Sequence, residues 1–410
     1  MFWVVLNGLD GGQKKSKLPY KIRAMQKILK RFLLGLLSLI IVGELLLLVT
    51  GNGYINKVLG MTIFSGKTGP DIDELKLFPY HAIAHAQPQP WATSTNYNKQ
   101  TIDNNLLGDF VKYQTVGFLV VKNDSLLHEQ YWEGYDEHSV VNSFSMAKSI
   151  NAILIGIALK EGLIKNLDEP VSNYLPEFRE GDKSKITIKH LLTMSSGIDF
   201  KEDYASPLAW PAEAYYGKDV NALTLKAETK DTPGLVWYYK GGDSQLLGII
   251  LKKVTGKKVA DYASEKLWTR LGAEDSAFWS TDEKGMEKVS CCFYTTARDY
   301  ARLAKLYMQQ GNWNGDQIVD SSYVQQSLSV APLLDNVTGK PIDNYGYQWW
   351  MMKYKEHPIF YMRGIRGQYV FAIPDMNMIV VRLGHKRGEK NGNDMPVDIY
   401  TYLDAAFAMQ

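Results

Sequence analysis

The stretch Ser143 to Ile150 reads SFSMAKSI, and its Ser145 and Lys148 stand three apart, the spacing that puts two side chains on one face of a helix. A serine hydroxyl is a weak nucleophile until a neighbour takes its proton, and a neutral lysine can take it. Burial or a second nearby cation lowers a lysine's pKa, so a lysine packed into a helix interior beside polar groups can serve as that base. At the first turn of a helix the serine's own N–H points outward with the positive end of the dipole, where it can hold a developing oxyanion. One further group must carry the proton to the leaving atom. Composition alone supplies about one or two Ser-x-x-Lys tetrads in a chain of this kind. This chain has one, so its surroundings must decide.

The elements around the tetrad meet the requirement. From Val116, VGFLVVKND and SLLHEQYWEGY read as two strands joined at Asn123-Asp124 in a hairpin. SMAKSINAILIGIALKEG follows with apolar residues at helical spacing and stops at Gly162, which places Ser145 in the first turn of a buried helix. Further helices, TIKHLLTMSSG, SQLLGIILKKVTG, VADYASEKLWTRLG and TARDYARLAKLYMQQG, are divided by Pro and Gly. YGYQWWMMKY, PIFYMRG, GQYVFAIP and MNMIVVRLGH read as an antiparallel meander, and MPVDIYTYLDAAFAM as a closing helix. Strands at both ends with helices between them predict an α+β fold. Its antiparallel sheet brings first and last strands together, flanked by terminal helices, with a helical region inserted beside it.

With 410 residues and 45% hydrophobic content the chain can bury a large core, as one large domain or two small ones. Its formal net charge is +2, but Lys14, Lys15, Lys17, Lys21, Arg23, Lys27, Lys30 and Arg31 crowd the first 31 positions against Asp10 alone. The remainder is net acidic and offers no basic field to a nucleic acid. FLLGLLSLIIVGELLLLV, Phe32 to Val49, carries a single charge, Glu44, and is long enough to span a bilayer. Basic residues ahead of it hold the N-terminus in the cytoplasm and send the chain beyond Gly51 across the membrane. A cleaved signal peptide is the competing reading, for which the segment is long and lacks a small-x-small site. Met25 opens a tidier start than Met1. The expected organisation is therefore a cytoplasmic basic segment (1–31), a transmembrane anchor (32–50), a stalk and lead-in (51–105) and a catalytic domain (106–410). Cys291 and Cys292 are adjacent, a spacing that rarely reaches disulfide geometry, and read as small buried side chains.

The tetrad is accompanied by NLDEPVSNYLPEF, TIKHLLTMSSGIDF and PGLVWYYKGGDSQLLGIILKKVTG, in that order. Together these resemble the segments that follow the nucleophile in the β-lactamase and penicillin-binding-protein superfamily of serine hydrolases, over roughly residues 106 to 405. The class C-like esterases and the 6-aminohexanoate-dimer hydrolase group are the most similar. The resemblance implies a β-lactamase/transpeptidase-like fold and acyl-enzyme chemistry without a cofactor. It makes Ser145 the acylated nucleophile, Lys148 its partner and Tyr239 the proton relay. Gly241 stands where the superfamily often has Asn, two residues after that tyrosine. In place of the usual Lys or His with Thr or Ser and Gly, the third motif reads YMRGIRGQY, Tyr361 to Tyr369. There the resemblance implies that Ile365 donates the second oxyanion-hole N–H, that Arg363 or Arg366 supplies positive charge, and that Arg363 and Gln368 bind substrate. Lys67-Thr68-Gly69 precedes the nucleophile and reads as a chance match.

Other signals are weaker. His81 and His85 stand four apart without HExxH or a third ligand, so no metal is expected. Neither a GxSxG elbow nor a phosphate-binding Gly-rich loop occurs. The aromatic run Tyr345 to Trp350 suits either a strand packed on a helix or a pocket for an acyl chain, and the insertion from Asp199 to Thr232 shapes that pocket. The partners expected are a small-molecule or peptide-like substrate and the membrane. Two alternatives stand beside the hydrolase: a non-catalytic member of the fold that binds envelope peptides or regulates a partner, and a D-Ala-D-Ala carboxypeptidase.

Overall fold

The computed structural model describes residues 20–67, 69–391 and 395–409, so Lys14, Lys15, Lys17 and Thr68 lie outside the described residues. The chain divides into two units between Asn56 and Lys57. In the first, one helix, Tyr20–Val49, runs through Arg31 without a break, so the basic segment and the apolar segment share an element. Its stretch Ala24–Val49 is long and apolar enough to cross a membrane, and its large apolar side chains are exposed.

The second unit is built on a seven-stranded sheet. Its spatial order is Trp350–Tyr354, His357–Gly364, Gln368–Ile373, Met378–Gly384, Thr115–Lys122, Ser125–Tyr131 and Ala92–Thr93. First and last long strands do meet, with Val120 opposite Val380. The hairpin turns at Asn123 and Asp124, both in the left-handed region at φ 49° and 59°, which these two residue types tolerate best after glycine. Alternation along Thr115–Lys122 feeds two cores. Phe118 and Val120 pack with Phe110 and Tyr402 of the terminal helices Asn104–Lys112 and Ile399–Ala408, while Leu119 and Val121 join the core of the helical region. Burial on both faces explains why VGFLVV reads as a near-continuous apolar run.

The segment expected to be stalk and lead-in belongs to this unit from Lys57 onward. Tyr80–Ile83 is the edge of a second, four-stranded sheet with Ala277–Ser280, Phe293–Thr295 and Val141–Asn142, and Ala92–Thr93 runs parallel to Ser125–Leu126 in the main sheet. Ile72 and Trp91 lie in the main core. These strands are too short for period-two alternation to register, so the sequence shows only the turns between them. The aromatic run also differs from expectation: its strand begins at Trp350, and Tyr345 to Trp349 form a turn in which Gln348 takes φ 59°.

Candidate active site

The short strand Val141–Asn142 delivers the chain to the nucleophile turn. Asn142 Oδ1 accepts from Phe144 N at 2.9 Å, Ser143 N donates to Phe293 O at 2.7 Å, and Phe144 is held at φ 44°. A bulky residue in that region is strained, and the surrounding hydrogen bonds hold it there. Helix Met146–Lys160 starts immediately, buried from Met146 to Ala158. Lys148 is 3% exposed, and its Nζ lies 3.2 Å from Ser145 Oγ and 2.7 Å from the Ser290 carbonyl. Among the described residues, neither the Ser145 N–H nor the Ile365 N–H donates to a backbone carbonyl.

Tyr239 completes this side. Lys148 Nζ is 5.2 Å from the centre of its ring. Trp350, Tyr345 and Trp237 surround that ring at 5.3, 6.0 and 6.5 Å, so two residues of the aromatic run pack directly on Tyr239. The next residue, Lys240, is buried; its Nζ donates to Ile198 O at 3.3 Å and stands 3.8 Å from Asp243. Ser196 donates to the same Asp243 carboxylate at 2.5 Å, yet burial pushes that carboxyl up to about 6. Helix Gly241–Thr255 then runs beside the nucleophile helix, joined by Asn151 Nδ2 donating to Ser244 O at 3.1 Å.

Two residues missed from the sequence tie this region together. Gln348 is buried and accepts from Ser149 through its carbonyl and from Ser244 through Oε1, while its Nε2 donates to Leu191 O. A lone amide inside an aromatic run is the available signal. Glu202, from the insertion, accepts from Gly241 N at 2.8 Å and Tyr204 Oη at 2.7 Å. Its Oε2 is buried without a partner among the described residues. Burial raises its carboxyl above the usual carboxylate range, against the pull of Lys148 and Lys240. The Glu202 contact also explains Gly241, where a Cβ would meet Trp210 Cζ3 at 2.6 Å and Glu202 Oε1 at 3.2 Å. An asparagine there would have to displace the Trp210 ring.

The opposite wall is the end of strand His357–Gly364. A Cβ on Gly364 would stand 2.2 Å from the Ser143 carbonyl and 3.3 Å from Phe144 Cβ, so this strand presses directly on the nucleophile turn and brings Ile365 beside it. The three candidates here part company. Arg363 is 8% exposed and lies 3.7 Å over the Trp350 ring, one ring from Tyr239. Arg366 turns to the lead-in, where its guanidinium donates to the carbonyls of Gly69, Pro70 and His385. Gln368 is fully buried, exchanging both its Nε2 and Oε1 bonds with Gly384 and donating to Ile365 O, so it braces the Ile365 turn instead of presenting an amide to the cleft. Arg382 supports the same turn through the carbonyls of Arg366 and Gly367.

Cys291 and Cys292 correct the expectation of free thiols, for they form a disulfide. The turn they occupy has Cys292 at φ 67°, fixed by Trp279 Nε1 on the Cys291 carbonyl and Ser280 N on the Cys292 carbonyl. His81 pairs with Glu287 and His85 with Ser276, both at 2.9 Å.

Residues 104–400 match the family model described as beta-lactamase. The 6-aminohexanoate-dimer hydrolase of Paenarthrobacter ureafaciens is 25% identical over 324 residues, covering 71% of this chain and 79% of that one. A Bacillus anthracis structure assigned as a 6-aminohexanoate-dimer hydrolase superposes with a TM-score of 0.69 at 24% identity, covering 82% of this chain and 91% of that chain. A family VIII carboxylesterase gives a TM-score of 0.62 at 17% identity, with 78% and 99% covered. These two likenesses are likenesses of fold.

Proposed function

The chain belongs to the beta-lactamase family, and on that premise we propose that it is a serine hydrolase that cleaves an ester or amide through an acyl-enzyme on Ser145. The observation that carries this reading is the buried Lys148 amine, which reaches the Ser145 hydroxyl at 3.2 Å while a second of its bonds is taken by the Ser290 carbonyl. Deprotonation of the hydroxyl requires this amine to offer its lone pair to Ser145 Oγ, and at 3.2 Å it stands within reach of it. The proton then passes through Tyr239 to the leaving group, and water attacks the acyl-enzyme by the reverse route. In the tetrahedral intermediates the N–H groups of Ser145 and Ile365 hold the oxyanion. Relatives named as hydrolase and carboxylesterase support hydrolysis as the reaction class. The apolar helix Ala24–Val49 supports a membrane anchor, with the N-terminus cytoplasmic and the hydrolase body exported.

Intact mass after exposure to a fluorophosphonate, together with turnover of p-nitrophenyl butyrate, tests this reading. One adduct on Ser145 is expected, with hydrolysis falling about 10³-fold or more in Ser145→Ala. No adduct and no turnover in the unsubstituted protein would overturn the reading and favour a peptide-binding member of the fold.

A further inference from the structure

The nucleophile segment is held by two carbonyls of one short stretch at the start of the strand that pairs with Val141–Asn142. Ser290 O accepts from Lys148 Nζ at 2.7 Å, and Phe293 O accepts from Ser143 N at 2.7 Å. The residues between those two anchors are Cys291 and Cys292. Their own carbonyls are also committed, to Trp279 Nε1 at 3.0 Å and Ser280 N at 2.9 Å. Four consecutive carbonyls thus accept from four different groups. The backbone achieves this with Cys292 at φ 67°, a region that residues other than Gly, Asn and Asp seldom enter. The Cys291–Cys292 bond closes a ring around the peptide between the two residues, and the ring withholds the extended conformations into which the strained turn would otherwise relax.

We propose that the Cys291–Cys292 disulfide is a positioning device for the nucleophile, holding the Ser290 and Phe293 carbonyls on Lys148 and Ser143, and that its reduction loosens the site and slows turnover. The catalytic half of this inference rests on the serine-hydrolase reading; the positioning half rests on the hydrogen bonds alone. Cys291 is partly exposed and Cys292 is buried, so a dithiol attacks the Cys291 sulfur first. Its thiolate forms a mixed disulfide there, Cys292 leaves as thiolate and takes a proton, and the second thiol of the reagent then displaces Cys291. The protein gains two hydrogens, and the dithiol leaves as its cyclic disulfide. An exported body meets an oxidising compartment, in which the bond persists and turnover is high.

Hydrogen exchange and kinetics on the full-length protein, oxidised and after dithiothreitol, test the proposal, with the mass gain of two hydrogens confirming reduction. Exchange in peptides covering 143–150 is expected to rise about tenfold on reduction, while strand Gln368–Ile373 stays unchanged. For p-nitrophenyl butyrate, kcat is expected to fall about tenfold with KM within about twofold, and to recover on reoxidation. The double variant Cys291→Ser with Cys292→Ser should match the reduced protein and ignore dithiothreitol. Identical exchange at 143–150 in the two redox states overturns the inference, and so does a double variant with the exchange of the oxidised protein. If exchange rises but neither state hydrolyses an ester, the positioning stands and the hydrolase reading falls.

Discussion

Along the Ser145 wall of the cleft, buried and half-buried ionisable and amide side chains set the geometry, whereas along the Gly364 wall the constraint is steric. Lys148, the Lys240–Asp243 pair, Glu202 and Gln348 all sit behind or beside the nucleophile and Tyr239, each tied by hydrogen bonds to another element. Across from them, a strand end with no side chain at Gly364 lies against the Ser143 carbonyl, and a turn braced by Gln368 and Arg382 follows. Polar scaffolding in a low dielectric fixes orientation but answers to pH, while close packing answers to volume. The two walls should therefore fail in different ways.

The largest expected effect is at the steric wall. Gly364→Ala adds a methyl 2.2 Å from the Ser143 carbonyl, so either the strand or the nucleophile turn must move. A displacement of that kind should lower kcat for p-nitrophenyl butyrate about 100-fold. Gly108→Ala is the matching control, for a Cβ there meets nothing within 4 Å on helix Asn104–Lys112. Kinetics should be unchanged in it, and its melting temperature equal or slightly raised. Equal kinetics in the two variants would remove the claim that the Gly364 wall positions Ser145.

The unequal legibility of the two walls has a physical cause. Ser145 and Lys148 meet because a helix makes residues three apart neighbours, and the helix itself is visible in its apolar spacing, so that contact can be read from eight letters. Tyr239 stands out only through its flanking PG and LLG, since nothing local distinguishes it from other tyrosines. Glu202, Gln348 and the bracing role of Gln368 depend on contacts between segments 39, 199 and 16 residues apart, for which no local period exists. The same holds for the lead-in, whose two- and four-residue strands are recruited as sheet edges by the body. At Cys291-Cys292 the general rule about adjacent cysteines gives the wrong answer because tertiary hydrogen bonds impose a turn that the dipeptide would not choose.

A smaller effect separates the two arginines of the third motif. Arg363, stacked on Trp350 one ring from Tyr239, should influence substrate, and Arg366, spent on three carbonyls of the lead-in and His385, should influence stability. Arg363→Gln is expected to lower kcat/KM about tenfold for an ester carrying a carboxylate, with little change for a neutral one. Arg366→Gln should lower the melting temperature by about 3–6 °C and leave kcat/KM within about twofold. A reversed pattern would mean that the positive charge of the cleft comes from the turn and not from the strand.

The smallest effect probes, through pH, a buried amine just ahead of the Ser290 carbonyl that holds Lys148. Lys288, two residues before Ser290, is buried over the Phe78 ring, with Nζ donating to Tyr215 O at 2.5 Å, and burial brings its pKa down to about 7. Asp282 and Glu74 pull the other way, yet desolvation prevails. Between that value and the ordinary lysine range the unfolded chain binds a proton that the folded chain does not, so stability from this group rises with pH over that window. Below about pH 7 both states are protonated and the full penalty of the buried charge is felt. Lys288→Met removes the penalty, so the variant's melting temperature relative to the unsubstituted protein should be highest near pH 7. That difference should shrink by about 2–5 °C toward pH 10. Because exposed lysines and tyrosines titrate in both proteins alike, the difference isolates this one amine. A difference that stays flat across the window would mean that Lys288 keeps its charge in the fold, held by the Phe78 face and the Tyr215 carbonyl, and the contrast between a pH-sensitive wall and a volume-sensitive one would then rest on Asp243 and Glu202 alone.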